Sequence, residues 1–204
     1  KNDKREGQGT LIYSNGDKYV GEWKYDQISG DGIYSYKNGD RYDGQWENGL
    51  IHGKGTFSNS AGDVYIGEFK NNEMSGWGNY IYKNGDTYVG EWKNDKRDGQ
   101  GTLSYINGDK YIGKWTKDKR VGNGTINFVN GNTYDGEWKN DYIEGYGTFN
   151  NSNGDIYKGE WKNKKKEGQG NYTFNNGDSY EGEWKSNIKN GEGTFSYING
   201  DKYQ

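Results

Sequence analysis

The sequence predicts an all-β fold: an elongated, twisted, single-layer solenoid of antiparallel β-hairpins built from 23-residue repeats. Three observations predict it. A Tyr-x-Gly-x-Trp core recurs at Tyr19, Tyr42, Tyr65, Tyr88, Tyr111, Tyr134, Tyr157 and Tyr180, always 23 residues apart, and a truncated copy starts at Tyr203. A Gly-x-Gly pair keeps the same period, from Gly7/Gly9 to Gly191/Gly193. Asn-Gly lies between the two motifs in every copy but one, where Ala61-Gly62 replaces it. No copy has gained or lost a residue. Stacked units explain this, because an insertion would break contact with the neighbouring unit.

Each element follows from local chemistry. In residues 99–115, GQGTLSYINGDKYIGKW, two β-prone runs flank Asn107-Gly108, a hairpin signal. A two-residue loop would put Leu103 and Tyr105 on the opposite face from Tyr111 and Trp115. A three-residue loop, Ile106-Asn107-Gly108 with Gly108 left-handed, shifts the register by one. Leu103 then faces Tyr111, Gly101 faces Gly113 and Gly99 faces Trp115, and the large apolar groups share one face. The three-residue register is the one expected. The position of Leu103 holds Leu11, Tyr34, Phe57, Tyr80, Ile126, Phe149, Tyr172 and Phe195 in the other copies. Thr102, Ser104, Lys110 and Lys114 make the other face polar, as in a sheet with one wet side.

The expected core is therefore Tyr19, Trp23, Tyr42, Trp46, Tyr65, Phe69, Tyr88, Trp92, Tyr111, Trp115, Tyr134, Trp138, Tyr157, Trp161, Tyr180 and Trp184. Strand-interior glycine normally weakens a strand. Here it is expected to leave room for the Trp ring of the opposing strand and of the next repeat. Two strands per repeat at about 4.8 Å give roughly 10 Å of rise each, hence a rod on the order of 80–90 Å for the whole array. Residues 1–204 read as one continuous array of about nine repeats. The start, Lys1 to Gly7, matches the interior loop Lys93 to Gly99. That match, with no starting Met, gives the expectation of a C-terminal piece of a longer array.

Composition sets limits on function. Leu, Ile, Val and Phe are scarce, which alone suggests disorder. The 20 Tyr, 8 Trp and 6 Phe contradict that reading and place the core in aromatic rings. Cysteine is absent, so no disulfide framework or thiolate metal site exists. No apolar run approaches the roughly 18 residues of a membrane span. A net charge of −3 argues against nucleic acid as a partner.

The chemistry of sites is sparse. Gly99-Gln100-Gly101 enters a strand rather than a helix, so it does not read as a phosphate loop. His52 is the sole histidine and has no thiol to activate. It is a weak metal candidate, and only with a partner chain. Glu22, Glu68, Glu91, Glu137, Glu160 and Glu183 recur with the repeat and read as a solvated face. No catalytic residue and no cofactor site is expected, so the chain reads as a non-enzyme. Individuality lies in the loops after each Trp. Lys117, Lys119, Arg120, Lys162, Lys164, Lys165 and Lys166 would form a basic ridge suited to anionic lipid. Leu50-Ile51, Met74, Tyr142-Ile143, Ile188, Trp77, Tyr146, Val64, Ile66 and Ile156 are candidate protein contacts or covers for the core.

The repeat Tyr-x-Gly-x-Trp, polar loop, Gly-x-Gly-Thr, Asn-Gly-Asp resembles the MORN repeat (membrane occupation and recognition nexus) across essentially the whole chain. Phe69 for Trp, Ala61 for Asn, and Asn79 and Asn171 for Thr are the departures. The resemblance implies an elongated hairpin array acting as scaffold, phosphoinositide-binding module or targeting region of a longer enzyme. An array made only of these repeats is similar to the apicomplexan-type scaffold of the basal complex. That likeness implies a rigid homodimer joined through C-terminal repeats and organising cytoskeletal and membrane-associated proteins during cell division. It also implies a cytoplasmic location on the cytoskeleton beneath a membrane. The expected dimer end here is Phe195, Tyr197, Ile198 and Tyr203.

Overall fold

The structure, a computed structural model, describes residues 4–204; residues 1–3 lie outside the described residues. The strands are β1 (Gly7–Ile12), β2 (Lys18–Lys24), β3 (Gln27–Ser35), β4 (Arg41–Glu47), β5 (Leu50–Ser58), β6 (Val64–Lys70), β7 (Glu73–Ile81), β8 (Thr87–Lys93) and β9 (Lys96–Ser104). They continue as β10 (Lys110–Thr116), β11 (Lys119–Asn127), β12 (Thr133–Lys139), β13 (Tyr142–Asn150), β14 (Ile156–Lys162), β15 (Lys165–Thr173), β16 (Ser179–Lys185), β17 (Ile188–Ser196) and β18 (Lys202–Tyr203). All 18 strands are antiparallel in an open sheet, and no helix occurs among the described residues. The chain forms two compact units, one ending at Gly99 and one starting at Gln100. Within each unit, consecutive strands pair as a meander.

Two kinds of hairpin alternate. The first joins a nine-residue strand to a seven-residue strand and has the expected three-residue loop. Tyr105 N–H donates to Asp109 O at 2.9 Å and Gly108 N–H to Tyr105 O at 2.9 Å, with Gly108 at φ +97°. Glycine suits that left-handed position because it has no Cβ to clash. The register is Leu-to-Tyr, Gly-to-Gly, Gly-to-Trp: Leu11 opposes Tyr19, Gly9 opposes Gly21 and Gly7 opposes Trp23.

The second hairpin departs from expectation. The stretch Lys93 to Asp98 reads as a loop, yet only Asn94 and Asp95 are turn; Lys93 closes β8 and Lys96 opens β9. Asn94 and Asp95 sit at φ +50° and +61°. Two successive left-handed residues make the tight turn whose twist matches the flanking strands, and Asn and Asp tolerate that backbone. Ionic residues around it are therefore strand residues, assigned alternately to the two faces.

Past this turn the long strand bulges. Gly136 opposes Gly147 and Trp138 opposes Ile143, so residues 144–146 face the single residue Glu137. The bulge carries Gly145 at φ +88°. Its displaced amide needs an acceptor, and Glu137 Oε1 accepts Tyr146 N–H at 3.0 Å. Gln45 does the same for Lys54 at 2.8 Å and Glu160 for Gln169 at 3.0 Å. The recurrent acidic position reads as a solvated face in the sequence. In these three repeats its side chain fastens the bulge.

The core lies on one face of the sheet. Tyr19, Tyr42, Tyr65, Tyr88, Tyr111, Tyr134 and Tyr157 are 0% exposed, and Tyr180 and the Trp/Phe69 rings are also buried. Each Tyr meets the ring four residues on edge-to-face, from 5.0 Å at Tyr65–Phe69 to 5.7 Å at Tyr134–Trp138. Within each unit Tyr rings also meet the ring of the next repeat, as in Tyr19–Trp46 at 5.6 Å and Tyr134–Trp161 at 5.4 Å. Such pairs add about 0.5–1.5 kcal/mol beyond area burial. Trp138 Nε1 donates to Gly124 O at 2.9 Å, and Trp46, Trp161 and Trp184 make the equivalent bond. The indole of Trp92 is buried without an acceptor.

The glycines make room chiefly for Tyr rather than Trp. A Cβ on Gly147 would lie 2.6 Å from Tyr134 Cε2, and one on Gly136 would lie 2.5 Å from Gly147 Cα. The Tyr ring lies flat across the cross-strand glycine pair, and its hydroxyl donates to the carbonyl three residues on: Tyr134 to Glu137 O at 3.1 Å, Tyr19 to Glu22 O at 3.0 Å. The first glycine of Gly-x-Gly serves backbone conformation instead, and at Gly99 (φ +116°) a Cβ would meet Glu91 rather than a ring.

Gly147→Ala should cost about 2 kcal/mol by overpacking between ring and strand. Gly49→Asn should change stability by less than about 0.5 kcal/mol, since Gly49 (φ +80°) has open space and other copies hold Asn or Asp in that turn. Urea unfolding of both variants checks the contrast, and equal effects would contradict the packing account.

Candidate functional site

Three surfaces carry residues that vary between repeats. On the aromatic face, one position directly opposes each Trp across the two-residue hairpin. Ile28, Ile51, Ile143, Lys166 and Lys189 oppose Trp23, Trp46, Trp138, Trp161 and Trp184; Met74 opposes Phe69 and Arg120 opposes Trp115. Ile28, Ile51 and Ile143 are buried. Ile51, Met74 and Ile143 thus cover core rings, whereas their neighbours Leu50 and Tyr142, like Ile188, are exposed.

The cations at this position are also turned inward. The Arg120 guanidinium lies 4.5 Å from the Trp138 ring centroid, and its Nε donates to Asp141 Oδ1 at 3.1 Å, with the side chain 16% exposed. Lys166 Nζ lies 4.2 Å from the Tyr172 ring and 4.9 Å from those of Tyr157 and Trp184. The expected basic ridge is corrected accordingly. Arg120 and Lys166 leave it, because direct pairing with Trp puts them on the ring side. Lys119, Lys162 and Lys165 stay on the outer face, and Lys117 and Lys164 occupy exposed turns. Lys139 and Lys185 join the same outer row through pairing with Tyr142 and Ile188. Sequence reasoning overlooked these two because neither stands in a run of basic residues, as Lys162 does beside Lys164, Lys165 and Lys166.

In the first unit the outer face carries an apolar patch. Val64 pairs with Ile81, while Ile66 and Val89 both pair with Asn79. Ile66, Val89 and Trp77 are exposed, Trp77 by 53%. Ile81 and Val89 were not singled out from the sequence; their alternation with core residues was the available signal. Tyr146 and Ile156 are exposed singly among polar neighbours in the second unit.

The remaining candidates are dispersed. His52 Nε2 lies 3.6 Å from Glu47 Oε2, and no group of three metal-ligating side chains occurs among the described residues. Phe195 pairs with Tyr203 and packs on Phe174 at 5.6 Å, while Tyr197, Ile198 and Tyr203 are exposed. Among the described residues no helix is long and apolar enough to cross a membrane.

The far edge of each unit is tied by aspartates of Asn-Gly-Asp. Asp17 accepts Lys37 N–H at 2.8 Å and the Tyr34 hydroxyl at 3.0 Å; Asp155 accepts Asn175 N–H at 2.9 Å and the Tyr172 hydroxyl at 2.7 Å. These bonds hold both carboxyls below the usual range, the largest cause being the Lys37 amide at Asp17 and the Tyr172 hydroxyl at Asp155.

The MORN-repeat family model matches nine consecutive segments, from 1–18 through 180–202. The chain belongs to the MORN-repeat family. No curated protein sequence matches this MORN array. Among solved structures it is similar to the TCP10 domain of Danio rerio CPAP in complex with a peptide of Danio rerio STIL. That likeness has 9% identity and a TM-score of 0.51, over 97% of this chain and 82% of that one, and concerns the fold alone. The TCP domain of SAS-4 from Drosophila melanogaster, with a proline-rich motif of Ana2, aligns at 14% identity and a TM-score of 0.43. It covers 96% of the MORN array and 87% of its own chain, a likeness too slight to carry an argument.

Burial pushes the core phenols up, to about 12 at Tyr19 and Tyr111 and higher at Tyr65 and Tyr134. An unfolded phenol ionises near about 10. The folded chain thus keeps protons that the unfolded one loses. The stability involved is whole below about pH 10 and is lost as pH rises toward 12. The core share of the tyrosinate absorbance should therefore appear in one step that coincides with unfolding, above about pH 10. Gradual ionisation of the core without unfolding would contradict it.

Proposed function

We propose that this MORN array is a non-catalytic scaffold that binds protein on its outer face and pairs with a second copy through its last repeat. The outer-face patch of Val64, Ile66, Trp77, Ile81 and Val89 carries the reading. It sets exposed Ile66, Trp77 and Val89 beside half-buried Val64 and Ile81 on the outer face, and clustered exposed apolar groups mark interaction sites. Exposed Tyr197, Ile198 and Tyr203 beside an edge strand support self-pairing. By family resemblance, the partners are cytoskeletal and membrane-associated proteins of the cytoplasm acting in cell division.

Light scattering on the purified protein should report a dimer at micromolar concentration, and Ile198→Asp with Tyr203→Asp should return a monomer. Trp77→Ser should leave the dimer intact while weakening capture of the cytoskeletal partner more than tenfold. A wild-type monomer sinks the pairing, and an unaltered partner affinity sinks the patch.

A second reading, phosphoinositide binding, is favoured by one observation. Lys119, Lys139, Lys162, Lys165 and Lys185 lie in a row with exposed Tyr142 and Ile188, a basic edge with apolar anchors. Each basic residue near an anionic surface contributes about 1 kcal/mol. Reversing Lys162, Lys165 and Lys185 to Glu should weaken liposome pelleting by more than about a hundredfold, with Lys166→Gln having little effect. Undiminished pelleting of the triple variant rejects the row.

A further inference from the structure

Asn-Gly dipeptides occur eleven times in the chain, and eight of them form three-residue hairpin loops. In seven of those loops the asparagine side chain is clasped twice. Asn107 Oδ1 accepts Asp109 N–H at 3.0 Å, and Asn107 Nδ2 donates to Asp109 Oδ2 at 3.0 Å. Asn15, Asn38, Asn84, Asn153, Asn176 and Asn199 repeat the clasp. The glycine amide is engaged as well, Gly108 N–H with Tyr105 O at 2.9 Å. At Asn130 the clasp is single: its Oδ1 accepts Asn132 N–H at 3.0 Å, and Asn132 stands where the other loops have Asp.

Asn48-Gly49 is built differently. It is the tip of the two-residue turn between β4 and β5, with Asn48 at φ +51° and Gly49 at φ +80°. Both residues are exposed, and a Cβ on Gly49 would meet no atom within 4 Å. Among the described residues the Asn48 side chain has no hydrogen-bond partner. The turn is also held by fewer ties. Asn72, at the second position of the next such turn, makes two bonds to the preceding repeat: its N–H donates to Ile51 O at 2.9 Å and its Oδ1 accepts Ile51 N–H at 2.8 Å. Asn187 does the same with Lys166. Gly49 has no side chain and makes one, from its N–H to Ile28 O at 2.9 Å. The other two dipeptides, Asn123-Gly124 and Asn190-Gly191, lie inside β11 and β17. Their peptides are pinned at both flanks, by Gly122–Trp138 and Gly124–Gly136 and by Lys189–Trp184 and Gly193–Gly182.

We propose that Asn48 is a site of spontaneous modification, an intramolecular deamidation that turns it into aspartate and isoaspartate. The Gly49 amide nitrogen, having given its proton to solvent base, attacks Asn48 Cγ. The N–Cγ bond forms, the Cγ–Nδ2 bond breaks, and Nδ2 takes a proton from water and leaves as ammonia. A second water opens the five-membered imide at either carbonyl, which gives aspartate or isoaspartate. No oxidant or reductant is needed. Glycine on the attacking side has no Cβ to obstruct the closing ring. Closure at Asn48 breaks the one bond from Gly49 N–H to Ile28 O. Closure in a clasped loop breaks the glycine bond and both clasp bonds. Two further hydrogen bonds slow the reaction by about tenfold or more.

The position carries the change into the core. Glu47 pairs with Leu50 across the turn, and Trp46 pairs with Ile51, which covers the rings. Isoaspartate lengthens the main chain of a two-residue turn by one carbon and displaces both pairs. Either product sets a new carboxylate beside Glu47, whose Oε2 lies 3.6 Å from His52 Nε2.

The test is incubation of the intact chain in mildly alkaline buffer, with aspartate and isoaspartate at each Asn-Gly read by peptide mass spectrometry. Asn48 should convert about tenfold faster than the seven doubly clasped asparagines, with Asn130 in between. In urea the turn asparagines should all convert at a common rate. Asp109→Asn, which copies the natural Asn132 loop, should bring Asn107 up to the rate of Asn130. A folded-state rate at Asn48 no greater than at the clasped loops, a preference that survives urea, or an Asn107 rate unmoved by Asp109→Asn each overturns the assignment. None of these readouts depends on the dimer, on a protein partner or on lipid.

Discussion

A tyrosine ring lying across a pair of facing glycines is the contact on which the rest of this sheet depends. A single-layer sheet has no second layer to bury its apolar face, so it must cover that face with its own side chains. Glycines at adjacent cross-strand positions bring the ring down onto the backbone, as Tyr134 lies over Gly136 and Gly147. The hydroxyl then finds the carbonyl exposed beside the bulge, Glu137 O, at 3.1 Å. Full burial of such a ring removes about 150–250 Å² from water, on the order of 4–6 kcal/mol before entropy. Glycine's entropic cost in a strand is smaller than that, so a glycine-rich sequence yields an ordered sheet.

The contact also propagates. In the second unit Tyr134 and Tyr157 each touch the Trp of their own strand and the Trp of the next repeat, so neighbouring hairpins there share one run of edge-to-face rings. Two hydrogen-bonded margins flank the run. At one, Asp17, Asp40 and Asp63 each accept an amide 20 residues on. At the other, the two-residue turns dock on the preceding repeat, as Asn72 does on Ile51. With rings and both margins committed to structure, the outer face is left for recognition.

That division explains how much of the candidate sites was legible. The Trp77 and Ile66 positions stood out because the repeat is so regular that an apolar residue at a polar position is visible. Arg120 and Lys166 were misplaced with the same regularity in view. Their facing depends on counting across a two-residue turn and a bulge in which three residues oppose one. Neither leaves a mark on the hydrophobic period. The recurrent glutamates were read as solvent-facing for a similar reason: the bulged amide that Glu137 and Glu160 satisfy exists only once the strands are paired.

Sequence by itself determined the period, the strand alternation, the ring positions of the core and the three-residue loop. All of these follow from spacing and from the backbone preferences of Asn and Gly, which act locally. Only the tertiary structure decided that Tyr rather than Trp claims the glycine pairs, that the charged segments after Trp are strands with two-residue turns, and that Lys166 is enclosed by rings. Those outcomes depend on which atoms of the next repeat arrive at each position. A residue type does not carry that information until stacking brings the neighbours together.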